Sequence, residues 1–184
     1  MPTLKPGDKA PAFTLPDQNA VNKPGPLDNP PEVKGDLEPV MRERLGALFG
    51  YQRLAVLSSH RDGQPYSNLV AFVATPDLRG LVFATTRATR KFENLTADPR
   101  VSMLIDNRSN QVSDFGEAMA VTAVGRVKEL SGKQKSRILE LYLGKHPYLK
   151  EFVESPTCAL LQLEVNTYIL VERFQKVMEW HLKP

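Results

Sequence analysis

The chain reads as a mainly β protein, an antiparallel sheet closing toward a barrel with helices at its flanks. Two observations predict this: six or seven strand-length runs, and links between them mostly too short for the crossovers of an alternating parallel α/β fold. Its 184 residues suffice for one well-buried domain and are short for two. Residues 1–35 stand apart, because Pro2, Pro6, Pro11, Pro16, Pro24, Pro26, Pro30 and Pro31 are eight of the chain's 15 prolines. Such a segment forms neither a regular helix nor a central strand, and is expected to be an extended or partly disordered arm before a domain of residues 36–184.

From Leu37 to Phe49, apolar Val40, Met41, Leu45, Leu48 and Phe49 recur at near-helical spacing, with Gly50 as a stop. Arg53 to His60 then reads as a strand, joined through Asp62-Gly63 to a hairpin partner from Pro65 to Ala74. A turn, Thr75 to Gly80, leads to a strand at Leu81–Thr86, and a short helix runs to about Asp98-Pro99. Arg100 to Asp106 gives a fourth strand, the polar loop Asn107–Gly116 follows, and a longer strand is expected from Glu117 to Glu129. Gly132 to Leu143 has a helical pattern with Ser131 available as cap, Lys145–Phe152 adds a turn, and Ala159–Val171 and Val177–His181 complete the strands.

Composition narrows the function classes. Hydrophobic residues at 41% and charged residues at 24% describe an ordinary soluble protein. The excess of 24 Lys and Arg over 21 Asp and Glu is +3, without the block of like charge suited to nucleic acid. One cysteine, Cys158, permits no internal disulfide, and no Cys/His spacing resembles a zinc site. It reads as a small buried residue. A reducing cytoplasm fits best, since the first 20 residues lack a signal-peptide pattern and no window approaches 18 apolar residues.

The stretch Leu81-Val-Phe-Ala-Thr-Thr-Arg-Ala-Thr-Arg-Lys-Phe-Glu-Asn-Leu95 carries the chemistry. Arg90 and Lys91 fall in the first turn of a helix, where the macrodipole disfavours each cation by roughly 0.3–1 kcal/mol. A bound phosphate reverses that sign, because free helix N–H groups, threonine hydroxyls and an Arg fork all complement it. A solvated basic turn is the alternative reading of the segment alone.

Ser67-Asn-Leu-Val-Ala71, then Val82 to Lys91, then Asn94-Leu-Thr-Ala-Asp-Pro-Arg-Val-Ser-Met-Leu-Ile105 resemble the pyridoxamine 5′-phosphate oxidase-like flavoproteins over roughly residues 38–181. The resemblance implies a six-stranded split β-barrel that dimerises and binds FMN between subunits, with F420 or haem in some relatives. Thr89, Arg90 and Lys91 match the family's Ser/Thr-Arg-Lys element, which meets the FMN phosphate. Ser67, Asn68, Leu69 and Val70 match the strand beside the flavin ring and ribityl chain, and Phe83, Ala84, Thr85 and Thr86 the strand whose end contacts the flavin. Arg87 reads either as a second phosphate clamp or as a surface charge. Asn110 or Gln111, in the loop after the fourth strand, would reach the partner's flavin.

The departures are equally specific. The true oxidase has an Arg and then a Lys on the strand matching Ser67–Ala71, where this chain has Ser67 and Phe72. Its Tyr-x-x-x-Arg-x-x-x-Ser substrate motif is unmatched, since Tyr142 is followed by His146 and Lys150. Its Arg-x-His finds only Glu172-Arg-Phe174. Vitamin B6 oxidation is therefore not expected. Residues 4–18 also resemble the opening of peroxiredoxins, but the Thr-x-x-Cys nucleophile motif is missing, so peroxidase activity is not expected either.

None of His60, His146 and His181 sits in a catalytic motif; all read as structural or surface residues, His181 being the candidate axial ligand if haem were the cofactor. Tyr168 and Trp180 read as core or dimer-interface aromatics, and Arg173 and Gln175 as residues able to reach a flavin edge. The expectation is a small homodimeric flavoprotein, an oxidoreductase acting on a small organic substrate, with no catalytic side chain assigned and no metal. A haem or F420 protein, or a non-catalytic flavin sensor or storage module, are the alternatives.

Overall fold

The computed structural model describes residues 37–172 and 176–183. The Pro-rich arm of residues 1–35, with its peroxiredoxin-like opening, and the pair Arg173 and Gln175 lie outside these described residues. Helix α1 (Leu37–Tyr51) buries Met41, Leu45, Leu48 and Phe49, the stripe that its spacing predicts. It continues past Gly50 because its end is capped from far away: Lys145 Nζ donates to the carbonyls of Phe49 (2.7 Å) and Gln52 (2.6 Å).

Strands β1 (Leu54–Arg61) and β2 (Gln64–Ala74) form the hairpin, turning through Asp62 (φ 51°) and Gly63 (φ 79°). Two consecutive positive φ angles are what a two-residue hairpin requires. Strand β3 (Gly80–Thr86) pairs with β2, helix α2 (Arg90–Ala97) follows, and β4 (Arg100–Asp106) returns to the other edge of β1. After the helical turn α3 (Asp114–Glu117) come β5 (Met119–Glu129), helices α4 (Gly132–Lys145) and α5 (Lys150–Glu154), then β6 (Cys158–Glu172) and β7 (Lys176–His181).

The order β3-β2-β1-β4-β5-β6, with β6 pairing back onto β3, closes a six-stranded antiparallel barrel. The 15-residue β6 makes this closure and also carries the seventh strand. One edge follows β5; the other pairs first with β3 over Cys158–Glu164 and then with β7 over Thr167–Glu172. At the handover, Val165 N donates to Arg79 O (3.0 Å) and Leu182 N to Asn166 O (2.9 Å), so the backbone stays paired where its neighbour changes.

Alternation sorts the side chains into two apolar clusters. Leu57, Phe72, Phe83, Met103, Val121, Leu163 and Tyr168 fill the barrel. Val82, Ala84, Cys158 and Leu160 point the other way and are covered by Tyr142 of α4 and Val153 of α5. Cys158 is buried, as its composition context suggested.

Two local expectations are corrected. The strand expected from Glu117 begins at Met119, because the Asp114 carboxylate accepts from the backbone of Ser109 (3.0 Å) and Gln111 (3.0 Å) and folds the preceding residues into a helical turn. Ser131 does stand at the N-cap of α4, but its hydroxyl makes no capping bond.

Tyr168 is fully buried and its hydroxyl donates to the carbonyl of Leu78 (2.8 Å), a residue held at φ 59° in the β2–β3 turn. Tyr168→Phe leaves that buried carbonyl without its donor, and urea denaturation is expected to show a loss of about 1–3 kcal/mol. An unchanged midpoint would mean that the turn holds itself.

Candidate functional site

Thr89 ends the β3–α2 turn with extended backbone (φ −117°, ψ 146°), and its Oγ1 accepts from Phe92 N (3.3 Å) while donating to Thr86 O (2.9 Å). Thr85 Oγ1 lies 3.2 Å from Thr89 Oγ1. The first helical backbone bond is Glu93 N to Thr89 O (3.1 Å). The amides of Arg90 and Lys91 therefore precede the helix's own acceptors and are free to meet an anion. A phosphate fits the donor set present: two backbone N–H groups, a guanidinium and an ammonium.

The two cations are held differently. Arg90 is exposed, with its guanidinium 5.0 Å above the ring of Tyr66. Lys91 is half-buried; burial alone pushes its ammonium below the ordinary lysine value, and no carboxylate pairs with it among the described residues. Arg87 is engaged elsewhere, forming a fork with Glu129 at 2.9 and 2.5 Å and lying 5.3 Å from the Phe92 ring. Of its two readings, the surface ion pair is the arrangement present.

Strand alternation divides the other sequence-predicted residues. On β2, Ser67 and Leu69 face outward and are exposed, Ser67 bonding Ser58 across the pair at 2.9 Å, while Asn68 and Val70 face inward. A single ligand surface can thus touch only one of these pairs through side chains. Phe83 is fully buried inside the barrel and Ala84 lies beneath the helical layer, so both faces of β3 are covered before its last residues. Thr85 is buried and Thr86 half-buried, so β3 opens to the surface only at its end.

A polar group that periodicity does not reveal lines this end of the barrel. Asn94 of α2 is 1% exposed, donates through Nδ2 to Ser59 Oγ (3.3 Å), and leaves its Oδ1 unpartnered; the inward Asn68 Oδ1 is likewise buried and unpartnered. The available signal was a polar residue on the apolar side of a short helix, between Phe92 and Leu95.

Asn110 (φ 60°) and Gln111 are exposed on the loop that Asp114 organises. His146 is buried, its Nε2 bonded to Phe72 O (2.8 Å), and burial lowers its proton affinity. His60 lies 3.3 Å from Asp98, a partner that its sequence spacing did not suggest, and His181 bonds Thr167 Oγ1 through Nδ1 (3.0 Å). Trp180 and Tyr168 are core residues stacked 6.0 Å apart. Among the described residues no three His, Cys, Asp or Glu side chains converge on a metal position, and no helix is long and apolar enough to cross a membrane.

A family model described as pyridoxamine 5′-phosphate oxidase matches residues 41–171. No curated protein matches in sequence. Among solved structures, the barrel resembles a heme binding protein from Mycobacterium smegmatis at 16% identity and TM-score 0.68, covering 76% of this chain and 57% of that one. It also resembles a FAD-binding protein from Mesorhizobium loti (17% identity, TM-score 0.54, 70% and 90% covered). A third likeness is to a pyridoxamine 5′-phosphate oxidase, so described as putative, from Listeria innocua (16% identity, TM-score 0.56, 71% and 98% covered). The chain thus spans little more than half the length of the Mycobacterium protein, and likenesses at these identities speak to the fold.

Proposed function

Because the chain belongs to the pyridoxamine 5′-phosphate oxidase family, we propose that it binds FMN noncovalently, with Thr89, Arg90 and Lys91 holding the phosphate. The observation that carries the reading is Lys91, a half-buried ammonium with no acidic partner among the described residues, placed at a helix end whose dipole already disfavours it. Such a cation is stabilised by an anion brought from outside. Thr89 fixes the turn, the Arg90 and Lys91 amides point toward the same anion, and the end of β3 with Ser67 or Asn68 of β2 would lie along the rest of the cofactor.

Bound flavin supplies hydride and electron chemistry itself, so the chain's contribution is anchorage, an apolar wall and a shaped opening. This accounts for an oxidoreductase without an acid–base triad. The substrate is a small organic molecule other than pyridoxamine phosphate. At the position matching the oxidase's substrate Arg, immediately after α4, this chain places His146, which is buried and committed to Phe72 O.

The visible spectrum of the purified protein tests the cofactor. Flavin absorbance, as isolated or after FMN is added, supports the reading. A Soret band, a deazaflavin spectrum, or a colourless protein that fails to take up FMN overturns it.

The same reading includes a homodimer with cofactor between subunits. Leu69, Val56, Leu104, Thr122 and Ile169 stand in register across β2, β1, β4, β5 and β6 on the outer face. Leu69 is 63% exposed, and neighbouring Leu54 and Val124 are also exposed. An apolar row of this kind on an uncovered sheet marks an interaction surface, and a two-fold pairing would use it on both copies. Light scattering of Leu69→Asp is expected to show a monomer with weakened FMN binding; a dimer of unchanged affinity would place the pairing elsewhere.

FMN affinity should also depend on pH in a defined direction. It rises as the phosphate loses its second proton near about pH 6, and falls again as pH climbs through the lowered pKa of Lys91, because only the ammonium form attracts the phosphate. Fluorescence titration across this range reads both limbs, and Lys91→Met should remove the upper one.

A further inference from the structure

We propose that the cleft between α4 and the β2–β3 turn, at the opposite end of β3 from the Thr89–Lys91 turn, binds a small organic hydroxy acid with an apolar body. The cleft encloses about 420 Å³, within the range of small-molecule sites. Gln134, Arg137, Ile138 and Leu141 line it from one face of α4 at i, i+3, i+4 and i+7 spacing, and Arg79 and Gln162 line the opposite side.

Three features make this a ligand site rather than a packing gap. Gln162 is buried to 9% exposure on the outer face of β6, where apolar neighbours would be expected, and its Oε1 has no hydrogen-bond partner. Gly80 makes room for that amide, since a Cβ there would come within 2.5 Å of Gln162 Nε2. The unpartnered Oε1 is an acceptor, so it awaits a donor such as a ligand hydroxyl.

The second feature is charge. Arg137 forms no ion pair among the described residues, and Arg79 spends one nitrogen on the Lys183 carbonyl (2.8 Å), leaving the rest of its fork available. Asp77, held as the carboxylate by Thr75 Oγ1 (2.5 Å) and Arg79 N (3.0 Å), offsets one of the two charges and leaves the cleft lining with a single net positive charge. The third is the wall of Ile138 and Leu141, which suits an apolar body. Two guanidinium groups beside an apolar wall select an amphipathic monoanion, and the nearby Asp77 charge disfavours a dianion such as a phosphate monoester.

Mandelate and its uncharged analogue mandelamide test the site by proton–nitrogen correlation spectra of the full chain. Mandelate is expected to move the Gln162 side-chain amide and the α4 amides saturably, while mandelamide does not. Arg137→Ala and Gln162→Met should each weaken binding by about tenfold or more, and Lys91→Met should leave it unchanged. Gln162→Met should also unfold no earlier than wild type, since it removes an orphaned polar group. Equal binding of the carboxamide, insensitivity to Arg137→Ala, or shifts centred on α2 and lost with Lys91→Met would each overturn the proposal. Because Lys91→Met is a separate arm, failure here does not bear on the FMN reading.

Discussion

Replacing Arg90 with Ala and Lys91 with Met in one variant is expected to weaken FMN binding by about a hundredfold to ten-thousandfold while raising the melting temperature of the cofactor-free protein. The first effect follows from two charged hydrogen-bonding groups worth about 1.5–3 kcal/mol each. The second follows from the same geometry without ligand. Both cations sit at the positive end of α2, and Lys91 is half-buried with no acidic partner among the described residues, so the site without an anion is electrostatically unfavourable. Opposite signs in the two measurements are the signature of a site built for an anion. A variant that binds FMN as well as wild type would refute the phosphate assignment. One that melts earlier would show that the Arg90–Tyr66 contact outweighs the repulsion.

Gly125→Ala is expected to be the most damaging small substitution in the barrel. The register of β5 against β6 shifts between Val124 and Gly125, and at that irregularity a Cβ would stand 1.9 Å from the Glu164 carbonyl oxygen and 2.9 Å from its carbon. Those atoms belong to β6 backbone pairing with β3, so they cannot retreat without loosening the closure of the barrel. A loss of roughly 3 kcal/mol or more is expected in urea denaturation. Gly144→Ala provides the contrast, since nothing lies within 4 Å of the position and the helix gains by about 0.5–1 kcal/mol. If the two variants unfolded at the same urea concentration, the closeness of β5 to β6 would not be a constraint.

Most of the fold was legible because its signals are local. The α1 stripe, the Asp62-Gly63 turn and the alternation of β1 and β4 each depend on a few adjacent residues obeying a short period. The boundaries that moved were set by side chains that bond the backbone outside the element's own pattern. Lys145 fixes the end of α1 from across the domain, and Asp114 delays β5 by organising the loop before it. Lys145 acts across 93 positions of chain and Asp114 through a loop it closes on itself, and neither effect is a propensity of the boundary residues.

The candidate site divides along the same line. Thr89-Arg90-Lys91 could be found from the sequence because charge placement relative to a helix start is a matter of consecutive residues. Arg87 could not be assigned, since its partner Glu129 is 42 positions away. Phe83 and Ala84 adjoin the turn in sequence but are sealed on both faces of β3, which only the pairing with β2 and β6 and the cover of α4 and α5 decide.

By itself, then, the sequence determined the antiparallel barrel, the family and the basic turn, since periodicity, turn chemistry and helix-end electrostatics act between near neighbours. Tertiary structure alone decided which cations are left without an acid and which face of each strand is open. Closure of β6 onto β3 brings residues separated by more than 70 positions into contact, and ion pairing and burial are properties of those contacts.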